Sequence, residues 1–175
     1  MSNFDTCMKF TGLAEGGYTN LPGDSGGETN FGISDARDGV RDGMVSGVPG
    51  VANPVPVKQL THAQAEAIYR RDYYTPICGD QLPLPVAVAV FDFAVNSGVG
   101  TAAKALQRVC NVTPDGKIGP ATIAKVNAIG GRSVAALVCD ARAAFLNAST
   151  APTVVKYRAA LLARVKRCKD YSQTL

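Results

Sequence analysis

Two carboxylates, Glu15 and Asp24, are the residues of this 175-residue chain best suited to bond-breaking chemistry. Cleaving a glycosidic bond usually takes two carboxyl groups. One protonates the leaving oxygen, and the other activates water or steadies the cation-like transition state. Glu15 closes an apolar-periodic run, Phe4-Cys7-Met8-Thr11, which predicts a helix over residues 3–15. Gly16 and Gly17 then stop that helix. A buried carboxyl at the negative end of a helix dipole resists ionising, which is what a general acid at neutral pH requires. Asp24 lies in a stretch with six glycines between Gly16 and Gly32, alongside Asn20 and Pro22. That composition predicts a turn-rich β-hairpin over residues 16–34. Asp24 is then either the second carboxylate or a turn former. Thr29 and Asn30 are either strand residues or groups that hold a water near the anomeric carbon. The through-space separation of the carboxylates decides between retention and inversion, and sequence spacing does not give it.

Other chemistries fit less well. The chain has no Gly-x-Ser-x-Gly elbow, no His-Glu-x-x-His, no P-loop and no dinucleotide fingerprint. Its one histidine, His62, sits at a helix start and reads as a surface residue. The five cysteines (Cys7, Cys78, Cys110, Cys139 and Cys168) are widely spaced, so neither a metal site nor a cofactor is expected. Buried reduced thiols are the favoured reading, with one or two disulfides in an oxidising compartment as the alternative.

The elements that must position the carboxylates are mostly helical. Residues 35–59 carry Gly43, Gly47, Pro49, Gly50, Pro54 and Pro56, which read as a long loop without regular structure, a lid or a surface insertion. Thr61 and Gln64 are spaced as a capping box for a helix running to about Tyr74, with Ala65, Ile68 and Tyr69 on one face. Val86 to Asn96 is nearly all apolar and predicts the central buried helix, in which Asp92 reads as a structural hydrogen-bond hub. Further helices are predicted from Gly100 to Cys110, from Pro120, from a Ser133 cap to Asn147, and to about Tyr171 from Thr153, which caps or nearly caps it. The fold class is mainly α (α+β), with a small β-hairpin after the first helix.

The length fits a single domain over 1–175, in which residues 1–99 form a catalytic half and residues 100–175 a basic helical half. Net charge is −5 over residues 1–100 and +9 over residues 101–175. The basic half suggests an anionic partner such as a bacterial wall. Nucleic acid ranks last, because no recognition motif is visible and aromatic residues are sparse there. No apolar run is long enough for membrane insertion. The start, Met-Ser-Asn-Phe-Asp, lacks the regions of a signal peptide and predicts a protein held in the cytoplasm until released.

Several blocks resemble the phage and bacterial muramidases of glycoside hydrolase family 108. The front block is Glu15-Gly16-Gly17-Tyr18, then Asp24, then Gly26-Gly27-Glu28-Thr29-Asn30-Phe31-Gly32-Ile33. The second is Phe91-Asp92-Phe93-Ala94-Val95-Asn96-Ser97-Gly98. Tyr69 to Tyr74 resembles a Tyr-x-x-x-Tyr-Trp block, with Tyr74 in place of the usual Trp. Leu106-Gln107 and Asp115 to Thr122 resemble a peptidoglycan-binding-type region, and Ala144 to Leu146 and Leu162 to Val165 fit more loosely. The 35–59 loop lies outside the resemblance.

The resemblance implies a lysozyme-like fold in which Glu15 is the catalytic acid, with Asp24 and Thr29 sharing the site. It also implies that Tyr18, Asn30, Tyr73 and Asn96 line a sugar groove. Either Thr29 or Asn30 would position the water. The implied activity is that of an endolysin, hydrolysing the β-1,4 bond between N-acetylmuramic acid and N-acetylglucosamine in peptidoglycan. The partners would be glycan strands and the anionic cell wall. A monomer is expected, released from the host cytoplasm through a holin-type pore. A lytic transglycosylase on the same bond is the nearest alternative. A non-catalytic peptidoglycan-binding module is the alternative from another class.

Overall fold

The computed structural model describes residues 1–12, 17–20 and 27–175. The chain divides into two compact units: residues 1–10 with 73–175, and residues 11–72. The division expected at 99/100 therefore falls inside the first unit, between two helices that pack on each other.

The helical unit contains α1 (Asn3–Thr11), α3 (Leu84–Ser97), α4 (Val99–Val109), α5 (Pro120–Ile129), α6 (Gly131–Ala148) and α7 (Pro152–Ser172). α3 is its axis. Every residue from Pro85 to Ala94 is buried, as an all-round apolar helix requires. α4, α6 and α7 pack against it. Burying a Val, Leu or Phe contributes about 1.5–3 kcal/mol, so this helix alone supplies a large share of the core. α1 adds Phe4, whose ring meets Tyr74 and Phe91 edge-on at 5.0 and 6.2 Å. Tyr74 also bonds through its hydroxyl to Asp80 Oδ1 at 2.8 Å. Its ring lies on Gly79, where any Cβ would sit 2.2 Å from a ring carbon.

The Asp115 to Thr122 block forms a built turn. Buried Gln107 donates through Nε2 to Asp115 Oδ1 (2.6 Å) and to the Lys117 carbonyl (3.0 Å), and its Oε1 accepts from Gly116 N. These bonds hold the Asp115 carboxyl below its ordinary range, chiefly through the Gln107 amide. Ser133 does not cap its helix as expected, and Thr153 lies just inside the start of the last one. The N-caps of α6 and α7 are Gly130 and Ala151. Gly130 turns at φ +101, a conformation open to glycine, so α6 starts at once. Pro152 opens α7, where its missing N–H costs nothing.

The other unit is built from short pieces. α1 ends at Thr11 with Gly12 at φ +69, earlier than the predicted helix over 3–15. The hairpin is β1 (Thr29–Asn30) with β2 (Ile33–Ser34), in register Thr29↔Ser34. Its two-residue turn places both Phe31 (φ 49) and Gly32 (φ 73) at positive φ, the geometry that matches strand twist. Thr19 adds a bridge to Thr29, through N–H···O bonds of 2.7 and 2.9 Å.

Residues 35–59 are not a structureless loop, which corrects the sequence reading. They hold a 3-10 turn (Asp35–Asp38), an antiparallel pair of β3 (Met44–Val45) with β4 (Val55–Pro56), and a second 3-10 turn (Val57–Gln59). Val45, Val48 and Val57 are buried beneath them. The glycines and prolines that argued against regular structure sit at its turns and at a short edge strand, where they are tolerated. α2 (His62–Tyr69) carries the predicted capping box in full and buries Ala65, Ile68 and Tyr69. It widens into a π-helical segment (Arg70–Tyr74), through which the chain passes to the helical unit. Among the described residues no helix is long and apolar enough to cross a membrane. The class is mainly α (α+β), as expected, with two small antiparallel hairpins among the described residues where the sequence predicts one.

Candidate active site

Glu15 and Asp24 lie outside the described residues; the frame around them is described on both sides. Tyr18 is 44% exposed and precedes Thr19, whose bridge ties this strand to Thr29 on β1. Thr29 is half-buried and carries the bridge on one side and its Ser34 pairing on the other. Asn20 Nδ2 donates to Glu28 Oε1 at 3.3 Å. Tyr18 thus adjoins the bridge, while Thr29 and Asn30 are successive residues of β1 whose side chains alternate between its faces.

Asn30 has a different role from the one expected. It is 5% exposed, and its Nδ2 donates to the carbonyls of Val57 (3.0 Å) and Leu60 (3.4 Å). Its amide is spent on fixing the hairpin to the second 3-10 turn. The turn is braced from α2: Tyr69 Oη donates to the Phe31 carbonyl at 3.3 Å, and the His62 ring meets Phe31 edge-on at 5.6 Å. His62 is otherwise an exposed residue near Glu66, as its place at a helix start suggested.

Asp35 was not singled out from the sequence. Its carboxylate is 4% exposed and lies under Gly27, where a Cβ would stand 2.1 Å from Oδ1. Gly27, at φ +67, is thus required twice: for its conformation and for this close approach. Asp35 Oδ2 accepts from Gly43 N at 3.2 Å, while its backbone N donates to the Glu28 carbonyl at 2.9 Å. One carboxylate therefore joins the glycine motif to the segment before β3. The available signal was the Gly26-Gly27 pair itself, since a glycine demanded by close approach implies a neighbour.

The segment after β3 is held by charge. Arg71 donates through Nε to Asp72 Oδ1 (2.5 Å) and through Nη2 to Oδ2 (2.9 Å), while Arg37 Nη2 also meets Oδ2. Arg71 Nη1 reaches the Gly47 carbonyl, and Arg37 Nη1 the Ser46 carbonyl at 3.3 Å. The hydrogen bond from Arg71, then the charge of Arg37, hold the Asp72 carboxyl below its usual range.

Tyr73 and Asn96 belong to the helical unit and are described within it. Tyr73 is a half-buried member of the π segment. Asn96 is exposed on the last turn of α3, its Nδ2 donating to the Asp92 carbonyl at 2.8 Å. One turn earlier Asp92 is fully buried and is the hub the sequence suggested. It accepts from Arg142 Nη1 (2.6 Å), from Arg164 Nη2 (2.5 Å) and from Arg164 Nε. Burial pushes this carboxyl up, but the bonds and charges of Arg164 and Arg142 outweigh it and hold it below the ordinary range. The end of α3 is thereby clamped to α6 and α7.

The family model for Glycosyl hydrolase 108 matches residues 8–98, just over half of the chain. The chain belongs to this glycosyl hydrolase family. The solved structure of Brucella abortus SagA is 35% identical, with a TM-score of 0.79 over 98% of this chain and 94% of that one. No curated protein matches. The matched span of this family member contains both the Glu15 to Ile33 motif and the Phe91 to Gly98 block. It stops before α4, although the structural likeness continues through α4 to α7. The glycoside hydrolase thus has a lysozyme-like α+β fold whose front motif is carried by the hairpin unit.

Proposed function

We propose that this glycoside hydrolase is an N-acetylmuramidase of the phage endolysin type. It would hydrolyse the β-1,4 bond between N-acetylmuramic acid and N-acetylglucosamine in bacterial peptidoglycan and so lyse a host cell. The observation that carries this reading is the family match across the unbroken Glu15 to Ile33 motif. In it Glu15 protonates the leaving oxygen, and Asp24 assists water or the cation-like transition state. Thr29, fixed between Thr19 and Ser34, positions the water. Tyr18, Tyr73 and Asn96 contact sugar, while Asn30 acts indirectly by setting the hairpin. The Asp115 to Thr122 turn and the basic helices hold the protein on the wall as a monomer. The protein waits in the host cytoplasm and reaches the wall through a holin-type pore.

The test is digestion of purified peptidoglycan by the wild type and by Glu15→Gln, with mass spectrometry of the fragments. Fragments with reducing muramic acid ends from the wild type, reduced at least ~10²-fold in the variant, are expected. Anhydro ends would convert the mechanism to transglycosylation. Binding without fragments would overturn the enzymatic reading. Attachment through charge further predicts that lysis weakens severalfold between low and high salt, as exposed charges are screened. A flat salt profile would remove that role from the basic helices.

A further inference from the structure

Within the helical unit α4 and α6 pack on each other, and a groove of about 390 Å³ lies between them. Its walls follow from sequence. Thr101, Ala105 and Arg108 recur at helical spacing on α4, and Ala141, Ala144 and Ala148 do so on α6. Small side chains at these places leave the space that larger ones would fill. Each wall runs for roughly 10 Å of helix. The floor is fixed from below. Phe93 on α3 is 1% exposed, and the Arg142 guanidinium, itself bonded to Asp92, lies over its ring at 5.4 Å. Phe145 meets the same ring at 5.8 Å between centroids but remains 43% exposed at the side of the groove. None of the residues given a role in hydrolysis lines it.

We propose that this groove binds a free fatty acid, with the aliphatic chain along the alanine-lined walls and the carboxylate at Arg108. Arg108 is the one charged side chain in the lining. It is exposed, and among the described residues its guanidinium pairs with no carboxylate. A guanidinium offers a carboxylate two parallel N–H donors, so an acid head group matches it in shape as well as charge. Among the described residues no acidic side chain lines the groove, which disfavours a cationic head. The rest of the lining is apolar apart from Thr101, as a hydrocarbon chain requires.

Size and shape select this occupant over others. The volume is that of a small-molecule site, too small to seat a helix of a partner protein. Two helical walls of equal length suit a linear chain better than a compact ring. The groove is concave, so its apolar atoms receive a chain instead of projecting into a bilayer. The Arg142 guanidinium over Phe93 keeps the floor in place before anything binds, which lowers the ordering cost of binding.

Binding is measured on the full chain without peptidoglycan, so its result is independent of the muramidase reading. Titration calorimetry with octanoate, decanoate and dodecanoate, each below its micelle concentration, should show one saturable site per chain. Each added methylene should tighten binding by roughly fourfold until the groove is full. Arg108→Gln should weaken decanoate by about fivefold and leave decanol unchanged. Ala144→Phe, at an exposed position on the α6 wall, should abolish the binding of both. Where Ala144→Phe lowers the melting temperature, the decanoate and decanol titrations of Arg108→Gln decide. Absence of saturable binding, equal binding of decyltrimethylammonium, or uptake only near the micelle concentration would overturn the proposal. So would a dimer in sedimentation that buries the groove, or attachment to anionic vesicles without binding of free decanoate.

Discussion

The two units reach a defined structure by different means. In the helical unit, long elements bury continuous apolar faces, and one ion cluster fixes how α3, α6 and α7 meet. Among the described residues of the unit over 11–72, no strand exceeds two residues, and order comes from single polar side chains bonded to distant backbone groups. Asn30, Asp35, Tyr69 and Arg71 each do this once or twice. A core of the first kind tolerates the loss of one methyl group better than the loss of its charge balance. A frame of the second kind depends on individual bonds.

The comparison breaks most visibly at Asp92. Asp92→Ala removes the anion that the fully buried Arg142 guanidinium faces, and should cost about 3–5 kcal/mol. Thermal unfolding should move down by about 10 °C or more. The pH dependence has a definite sign. Because the folded carboxyl is held below its unfolded value, its contribution is complete above pH ~4 and is lost as pH falls through the folded value. The gap in melting temperature between wild type and Asp92→Asn should therefore narrow below pH ~4. A gap that widened there would contradict the assignment of charge.

A smaller effect is expected at Gly27. Gly27→Ala must accept φ +67 and a Cβ 2.1 Å from Asp35 Oδ1, at a cost of roughly 1–3 kcal/mol. In an Asp35→Ala background the steric part disappears, so the second cost should be clearly less than the first. Equal costs in a double-mutant cycle would separate the two residues. The smallest effect belongs to the one long element of that unit. Thr61→Ala removes one bond of the capping box and should cost about 1 kcal/mol, measured by urea unfolding.

The same contrast explains what could be read from sequence. The all-apolar run around Asp92 announced α3 and its hub, because a charge inside such a run has to be paired. The capping box placed the start of α2 to the residue. The 35–59 segment was opaque for a physical reason. Its order rests on Arg71 and Arg37 reaching carbonyls at Gly47 and Ser46 and on Asp35 reaching Gly43, and such bonds leave no period in the chain. Asn30 stayed open between strand residue and site group because a strand amide aimed at sugar and one aimed at a neighbouring carbonyl look alike in sequence. For the site itself, Thr29 stands on β1 and Tyr18 next to its bridge partner Thr19, while Glu15 and Asp24 lie outside the described residues.

The widened turn at Arg70–Tyr74 sets a rule of length rather than composition. A π turn accommodates one residue more than the α-helix it interrupts, so each side chain beyond it is rotated by about 100° from its uninterrupted position. That rotation brings the Tyr74 ring onto Gly79 and its hydroxyl to Asp80. Many side chains could change along the exposed face of this stretch, but its residue count is fixed. Removing a single residue from it would leave the order of elements intact and turn the Tyr74 ring away from Phe4 and Phe91.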